Sequence, residues 1–151
     1  MYIPEGYYLT SEMAQKLGIH QANFSMMYKK LTEDVDYIKQ GAYVFLRPEC
    51  KHIPIKMRER LVALRDNNEL TVITKNFFPY IHFCYLLGIT DANYNEYVKW
   101  DTTIIGGKVF VVIPEHLKDI FYNYTVGSRL VGQTEGTLIQ RISCTKELVY
   151  Y

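Results

Sequence analysis

Residues 9–31 read LTSEMAQKLGIHQANFSMMYKKL, and this stretch predicts two short helices joined by a tight turn. Thr10 and Ser11 offer N-cap oxygens at its start. Met13, Ala14 and Leu17 follow at helical spacing on one face. Gly18 stands where a turn between helices needs positive φ at little steric cost. A second helix is expected from about Gln21, with Phe24 and Met27 inward and Leu31 near its end. Ala14 is small, and two helices crossing steeply approach closely only over a small side chain.

Outward from this stretch, residues 37–46 (YIKQGAYVFL) have the form of a two-stranded wing, and Pro48-Glu49 opens the next segment. Leu9-Thr10, Ala14, Leu17-Gly18-Ile19, Phe24 and Met27, together with this wing, resemble the winged helix-turn-helix domains of the excisionase and MerR families. The resemblance covers roughly the first 55 residues, the size of one small motif-bearing unit. It implies a second helix that enters the DNA major groove. Where those families usually carry arginines on that helix, this chain holds Ser25, Met26 and Tyr28. The alternative reading of the same spacing is a helical hairpin in an ordinary core.

The pattern returns later in the chain. Leu17-Gly18-Ile19-His20-Gln21-Ala22-Asn23-Phe24 recurs as Leu87-Gly88-Ile89-Thr90-Asp91-Ala92-Asn93-Tyr94, an offset of 70. Phe83, Cys84 and Tyr97 stand in place of Met13, Ala14 and Met27. Residues 108–115 (KVFVVIPE) parallel residues 42–49 (AYVFLRPE) at an offset of 66. The expected fold is therefore α+β: two tandem small winged helix-turn-helix units plus a C-terminal β-rich tail. Residues 1–66 form the first unit with a linker helix, and residues 71–151 form the second with its extension. The linker helix, within 53–69, sets Met57, Leu61 and Leu64 on one stripe and Arg58, Arg60 and Arg65 off it. Pro54 suits its first turn, and Asp66-Asn67-Asn68-Glu69 ends it. In the tail, Gly127, Gly132 and Gly136 discourage a long helix, while residues 138–142 and 148–151 suit short strands.

A chain of 151 residues, 48% hydrophobic and 22% charged, has the composition of a folded protein rather than a disordered one. Its net charge of +1 supplies no global field toward nucleic acid, so DNA binding requires a local basic patch. The start, MYIPEGYYLTSEM, lacks the cationic region of a secretory signal, and no apolar run is long enough to span a membrane. Cys50, Cys84 and Cys144 are odd in number and widely separated, as expected of reduced thiols in a cytoplasmic protein.

On the first unit's second helix, the outward positions are His20, Gln21, Ala22, Ser25, Met26, Lys29 and Lys30. Gln21 is suited to bidentate reading of adenine, and Ser25 to a base or phosphate. Lys29 and Lys30 are suited to phosphates, with Lys39 near the wing tip and Arg47 after it adding backbone contacts. The candidate DNA-binding set is thus His20, Gln21, Ser25, Met26, Lys29, Lys30, Lys39 and Arg47. Taken singly, each is most often a solvated surface group. The second unit has Thr90, Asp91, Ala92, Asn95, Glu96 and Lys99 at the same positions, and two carboxylates there oppose phosphate. Its wing tip, residues 105–108, carries one cation, Lys108. Tyr80, Phe83, Tyr85, Tyr94, Tyr97 and Trp100 are expected mostly in its core, and any left exposed would suit a protein interface.

Cys50 with His52, and His82 with Cys84, lack the usual zinc spacing, and no metal or other cofactor is expected. The sequence has no phosphate-binding glycine loop and no nucleophile elbow, so no catalytic residue is assigned. The expectation is a cytoplasmic, non-enzymatic, sequence-specific binder of double-stranded DNA. It would act in transcription regulation or as an excisionase-like architectural factor. The family resemblance and the small size suggest a phage or plasmid origin. The alternative is a protein-interaction module or inhibitor that uses the winged fold on a protein partner. A homodimer or protein contact through the second unit or the tail is compatible with either.

Overall fold

The structure is a computed structural model that describes residues 3–98 and 100–121. Lys99, Cys144 and the strands expected at 138–142 and 148–151 lie outside the described residues. The described chain is mixed α and β, with short helices and two small antiparallel sheets. It divides into two compact units. One comprises Ile3–Thr74 with Ile104–Lys108, and the other Lys75–Thr103 with the described residues from Val109 onward.

In the first unit, β1 (Tyr8–Leu9) leads directly into α1 (Thr10–Leu17), and α2 (Ala22–Met27) tightens into a 3-10 turn at Tyr28–Lys30. The hairpin β2 (Tyr37–Gln40) and β3 (Tyr43–Leu46) follows, and β1 completes the sheet in the order β1-β3-β2. Tyr8 pairs with Leu46, and Leu9 with Phe45. The helix α3 (Ile55–Asp66) starts behind Pro54 and closes at Asn67, as expected from the sequence. Met13, Ala14, Phe24, Met27, Leu31, Leu46, Leu61 and Leu64 form one core. Burial of each large apolar side chain here is worth about 1.5–3 kcal/mol.

α1 begins differently from expectation. Thr10 is the first helical residue rather than a cap, and no side-chain cap bond forms. The Thr10 hydroxyl instead donates to the Val44 carbonyl at 3.1 Å, while the Ser11 hydroxyl is buried without a partner among the described residues. Two strand residues precede the helix, so Leu9 already satisfies its entry geometry and the hydroxyl is drawn to the sheet. The end of α1 matches the sequence reading. Gly18 is left-handed at φ 67°, and the Ile19 amide donates to the Ala14 carbonyl at 3.0 Å.

The later part of the chain repeats this order with β4 (Phe77–Pro79), α4 (Tyr80–Leu87), α5 (Tyr94–Tyr97), β5 (Thr102–Ile105) and β6 (Lys108–Val112). Its sheet order, β4-β6-β5, is the counterpart of the first. A short helix, α6 (Lys118–Phe121), follows. Gly88 has φ 69°, and the Ile89 amide donates to Cys84 at 3.0 Å, the same turn as at Gly18. Phe83, Trp100 and Phe121 stack about one another with ring centroids 5.3–5.8 Å apart.

The strands are equivalent at an offset of 65, not the 66 read from the sequence. Leu9 pairs with Phe45 and Pro79 with Phe110. Gly41 and Gly106 both have positive φ at the hairpin turns. The Arg47 amide donates to the Asp36 carbonyl, and that of Val112 to Asp101. The additional residue is Ile113, whose amide donates to Asn76 at 2.7 Å and whose side chain is buried. It lets Pro114 and Glu115 mimic the register of Pro48 and Glu49.

A second correction concerns Tyr97, expected in the core at the place of Met27. Tyr97 is 49% exposed, whereas Met27 is 9% exposed. α5 ends there, and Val98 turns into the core in extended conformation instead. The shorter connection before β5 removes the turn that keeps Met27 facing inward.

Candidate nucleic-acid interface

α2 is anchored by Phe24 and Met27, which occupy the core. Helical spacing then places Ser25, Met26, Lys29 and Lys30 away from it, and all four are exposed. Residues 21–31 contain no carboxylate, so the two lysines are unopposed on their own segment. His20 is exposed and its Nδ1 accepts the Ala22 amide at 3.1 Å, so it caps the start of α2. Lys39 is exposed on β2.

Two members of the expected set are engaged elsewhere. Gln21 donates through Nε2 to Thr10 Oγ1 at 2.9 Å, and its Oε1 is buried without a partner among the described residues. A side chain held this way is not free for bidentate reading of adenine, and the reason is the hydroxyl that Thr10 presents to it at the head of α1. Arg47 is exposed but pairs with Glu49 at 3.2 Å and lies over the Tyr7 ring. Glu49 also pairs with Arg65 at 2.8 Å. Arg47 therefore offers less free charge than Lys29, Lys30 or Lys39.

Tyr28 stands at one of the positions where the resembled families usually carry arginine. It is half-buried and stacks on Tyr37 with ring centroids 4.9 Å apart. Burial pushes its phenol above the ordinary value. This stack joins the end of the second helix to the first residue of the hairpin. Its sequence signal is two tyrosines, one at each end of the 29–36 connection. Glu12 is not legible in the sequence at all. It is 6% exposed and accepts from the Thr71 amide and hydroxyl at 2.5 and 2.6 Å, tying the chain after α3 to α1.

In the second unit, Thr90, Asp91, Ala92, Asn95 and Glu96 are exposed or half-exposed. Asp91 accepts a hydrogen bond from the Tyr80 hydroxyl, and Thr90 and Asn93 form a reciprocal capping box. Ile81, Tyr85 and Tyr97 are the exposed large side chains of its two helices. Cys50 and Cys84 are both buried free thiols whose pKa values burial raises. Among the described residues no group of His, Cys, Asp and Glu is placed to hold a metal ion, and no helix is long and apolar enough to cross a membrane.

No family model, no curated protein and no solved structure matches this chain.

Proposed function

We propose that the chain is a non-enzymatic, sequence-specific binder of double-stranded DNA, built from two tandem winged helix-turn-helix units. The first unit reads the major groove through α2 and tracks the backbone with its hairpin. The role is that of a transcriptional regulator or an excisionase-like architectural factor in a cytoplasm. The observation that carries this reading is the carboxylate-free, exposed face of Ser25, Met26, Lys29 and Lys30 that follows the left-handed turn at Gly18. Helix, glycine turn, helix and hairpin in this order suit groove entry by the second helix, with lysines positioned for phosphate. Ser25 and Met26 take over the base-facing role that Gln21 gives up to Thr10. His20 and Arg47 remain at the edge of the surface, the first as a cap and the second in an ion pair.

A mobility-shift assay with fragments of its own locus, repeated across several salt concentrations, tests this. A salt-dependent shift that favours one fragment is expected. Equal affinity for every fragment removes the sequence-specific part, and no shift at low salt removes DNA binding altogether.

The second unit favours a different use. Asp91 and Glu96 oppose phosphate, whereas Ile81, Tyr85 and Tyr97 are exposed. Aromatic residues of this kind are enriched in protein interfaces. A protein-partner or homodimer role is therefore assigned to this unit. If the first unit fails to bind DNA, this role extends to the whole chain.

A further inference from the structure

A groove of about 520 Å³ runs between α2 and α3, within the first unit. Met26, Met27 and Met57 form its apolar lining, and Lys30, Lys56 and Arg60 supply its charge. Met26 is 76% exposed, the most exposed of the large hydrophobic side chains in the described residues. None of the three cations belongs to an ion pair among the described residues. No carboxylate lines the groove, and Glu59 on the same helix lines a different one. Duplex DNA uses the lysines and Met26, but a phosphate backbone gains little from the apolar floor that Met27 and Met57 continue beside them. Unbranched, polarizable methionines instead adapt to apolar side chains of varied shape.

We propose that this groove docks an acidic amphipathic segment of a partner protein. Apolar side chains of the segment fill the methionine floor, and its aspartates and glutamates face Lys30, Lys56 and Arg60. The charge complementarity selects an acidic over a basic segment and steers its approach. The inference stands independently of DNA binding. Because Met26 and Lys30 lie on both surfaces, it also makes the two ligands competitors wherever both bind.

The test uses the full chain labelled with ¹³C at its methionine methyls and a synthetic helical peptide with Leu and Phe on one face and Asp and Glu on the other. A control peptide carries Lys in place of the acids. The acidic peptide should bind saturably and shift the Met26, Met27 and Met57 methyls. Met13, which is fully buried in the core, should not move. Lys56→Glu should weaken binding by roughly threefold to tenfold, and raised salt should weaken it too. Met26→Ser, at an exposed site that leaves the fold intact, should lower affinity without removing the salt dependence. Absence of saturable binding overturns the proposal. So does equal binding of the lysine peptide, or a Met57 shift produced by duplex DNA and not by the acidic peptide.

Discussion

The Tyr80 hydroxyl donates a hydrogen bond to the Asp91 carboxylate, and Gln21 donates to Thr10 across the equivalent positions. Both pairs are eleven residues apart, and both join the first residue of one helix to the approach of the next, at Gln21 just before α2 and at Asp91 in the 3-10 turn (Asp91–Asn93) before α5. Donor and acceptor have changed ends between the copies, yet the brace is kept. In each copy it spans the glycine turn between the two helical segments. In the second copy the bond is charge-assisted, the stronger kind.

Gln21→Ala should therefore act on stability and not on base preference. Loss of one neutral hydrogen bond should cost about 0.5–1.5 kcal/mol in the first unit. Tyr80→Phe should destabilise the second unit, and Asp91→Asn should be milder because an amide oxygen still accepts. Burial, and then the bond to Asp91, raise the Tyr80 phenol, so it remains a donor over the working pH range. Amide hydrogen exchange at residues 22–27 and fluorescence of the single tryptophan, Trp100, follow the two units separately. A Gln21→Ala protein of unchanged stability that loses base preference would restore Gln21 as a reading residue.

Much of this arrangement is legible in the sequence because local rules agree with it. Gly18 and Gly88, each after a helical apolar stripe, announce both turns. Phe24 and Met27 fall into the core because helical period alone puts them there, while Leu31 reaches it in extended conformation after the 3-10 turn. The register of the second hairpin is masked because Pro114-Glu115 copies Pro48-Glu49 so well. The better anchors are Asp36, Gly41 and Phe45 against Asp101, Gly106 and Phe110, which hold the turn and the ladder. Gln21 misleads because period places it outward, while its amide bends back to Thr10. Such a bond joins two helices and leaves no trace in either helix's pattern. Glu12 is hidden for the same reason, since its partner Thr71 is 59 residues away.

The glycine turn at Gly18 should resist a side chain through its backbone alone. Gly18 and Gly88 have φ of 67° and 69°, and a Cβ at Gly18 meets no heavy atom within 4 Å. Gly18→Ala is thus strained only by its backbone, at about 1–2 kcal/mol. Gly18→Asn should cost less, because Asn tolerates the left-handed region better. Urea denaturation of the three proteins checks the order. An alanine variant as stable as the parent would mean the turn relaxes freely.

Ala14 and Cys84 are buried at equivalent positions of α1 and α4, at 5% and 7% exposure. Ala14→Leu should destabilise the first unit by about 1–3 kcal/mol, because the buried core around it must shift to admit the added volume. Cys84→Ala removes only a sulfur and should cost less. Thermal melts giving the opposite ranking would show that the packing around Ala14 is loose.

Asp36 gives the first unit an acid limb. Its Oδ2 accepts the Thr32 amide at 2.8 Å, and this bond holds its pKa below the ordinary carboxylate value. The stabilisation is present above the unfolded pKa and is lost as pH falls through the lower folded pKa. Protection of the Thr32 amide should fall in that strongly acidic range, and Asp36→Ala should abolish the dependence. An alanine variant with the parent's acid limb would assign it to other carboxylates.

The last prediction separates affinity from specificity on the first unit. Lys29 and Lys30 are exposed beside no carboxylate of their own segment, whereas Arg47 is already paired with Glu49. Lys29→Ala with Lys30→Ala should weaken duplex binding and reduce the log–log salt slope by about 0.9 for each phosphate no longer neutralised. Arg47→Ala should change the slope less, because its charge is partly balanced before DNA arrives. Ser25→Ala should leave the slope alone and relax sequence preference, since a base contact specifies where a phosphate contact positions. Asp91→Asn and Glu96→Gln should not weaken binding, as removal of either charge takes repulsion away from the second unit. Titration calorimetry of each variant against one duplex at several salt concentrations resolves these effects. Loss of binding in the Asp91 or Glu96 variants, with the lysine variants unaffected, would transfer the reading role to the second unit. If neither the parent nor any variant binds duplex DNA at low salt, the exposed Met26 and its lysines belong to a protein interface instead.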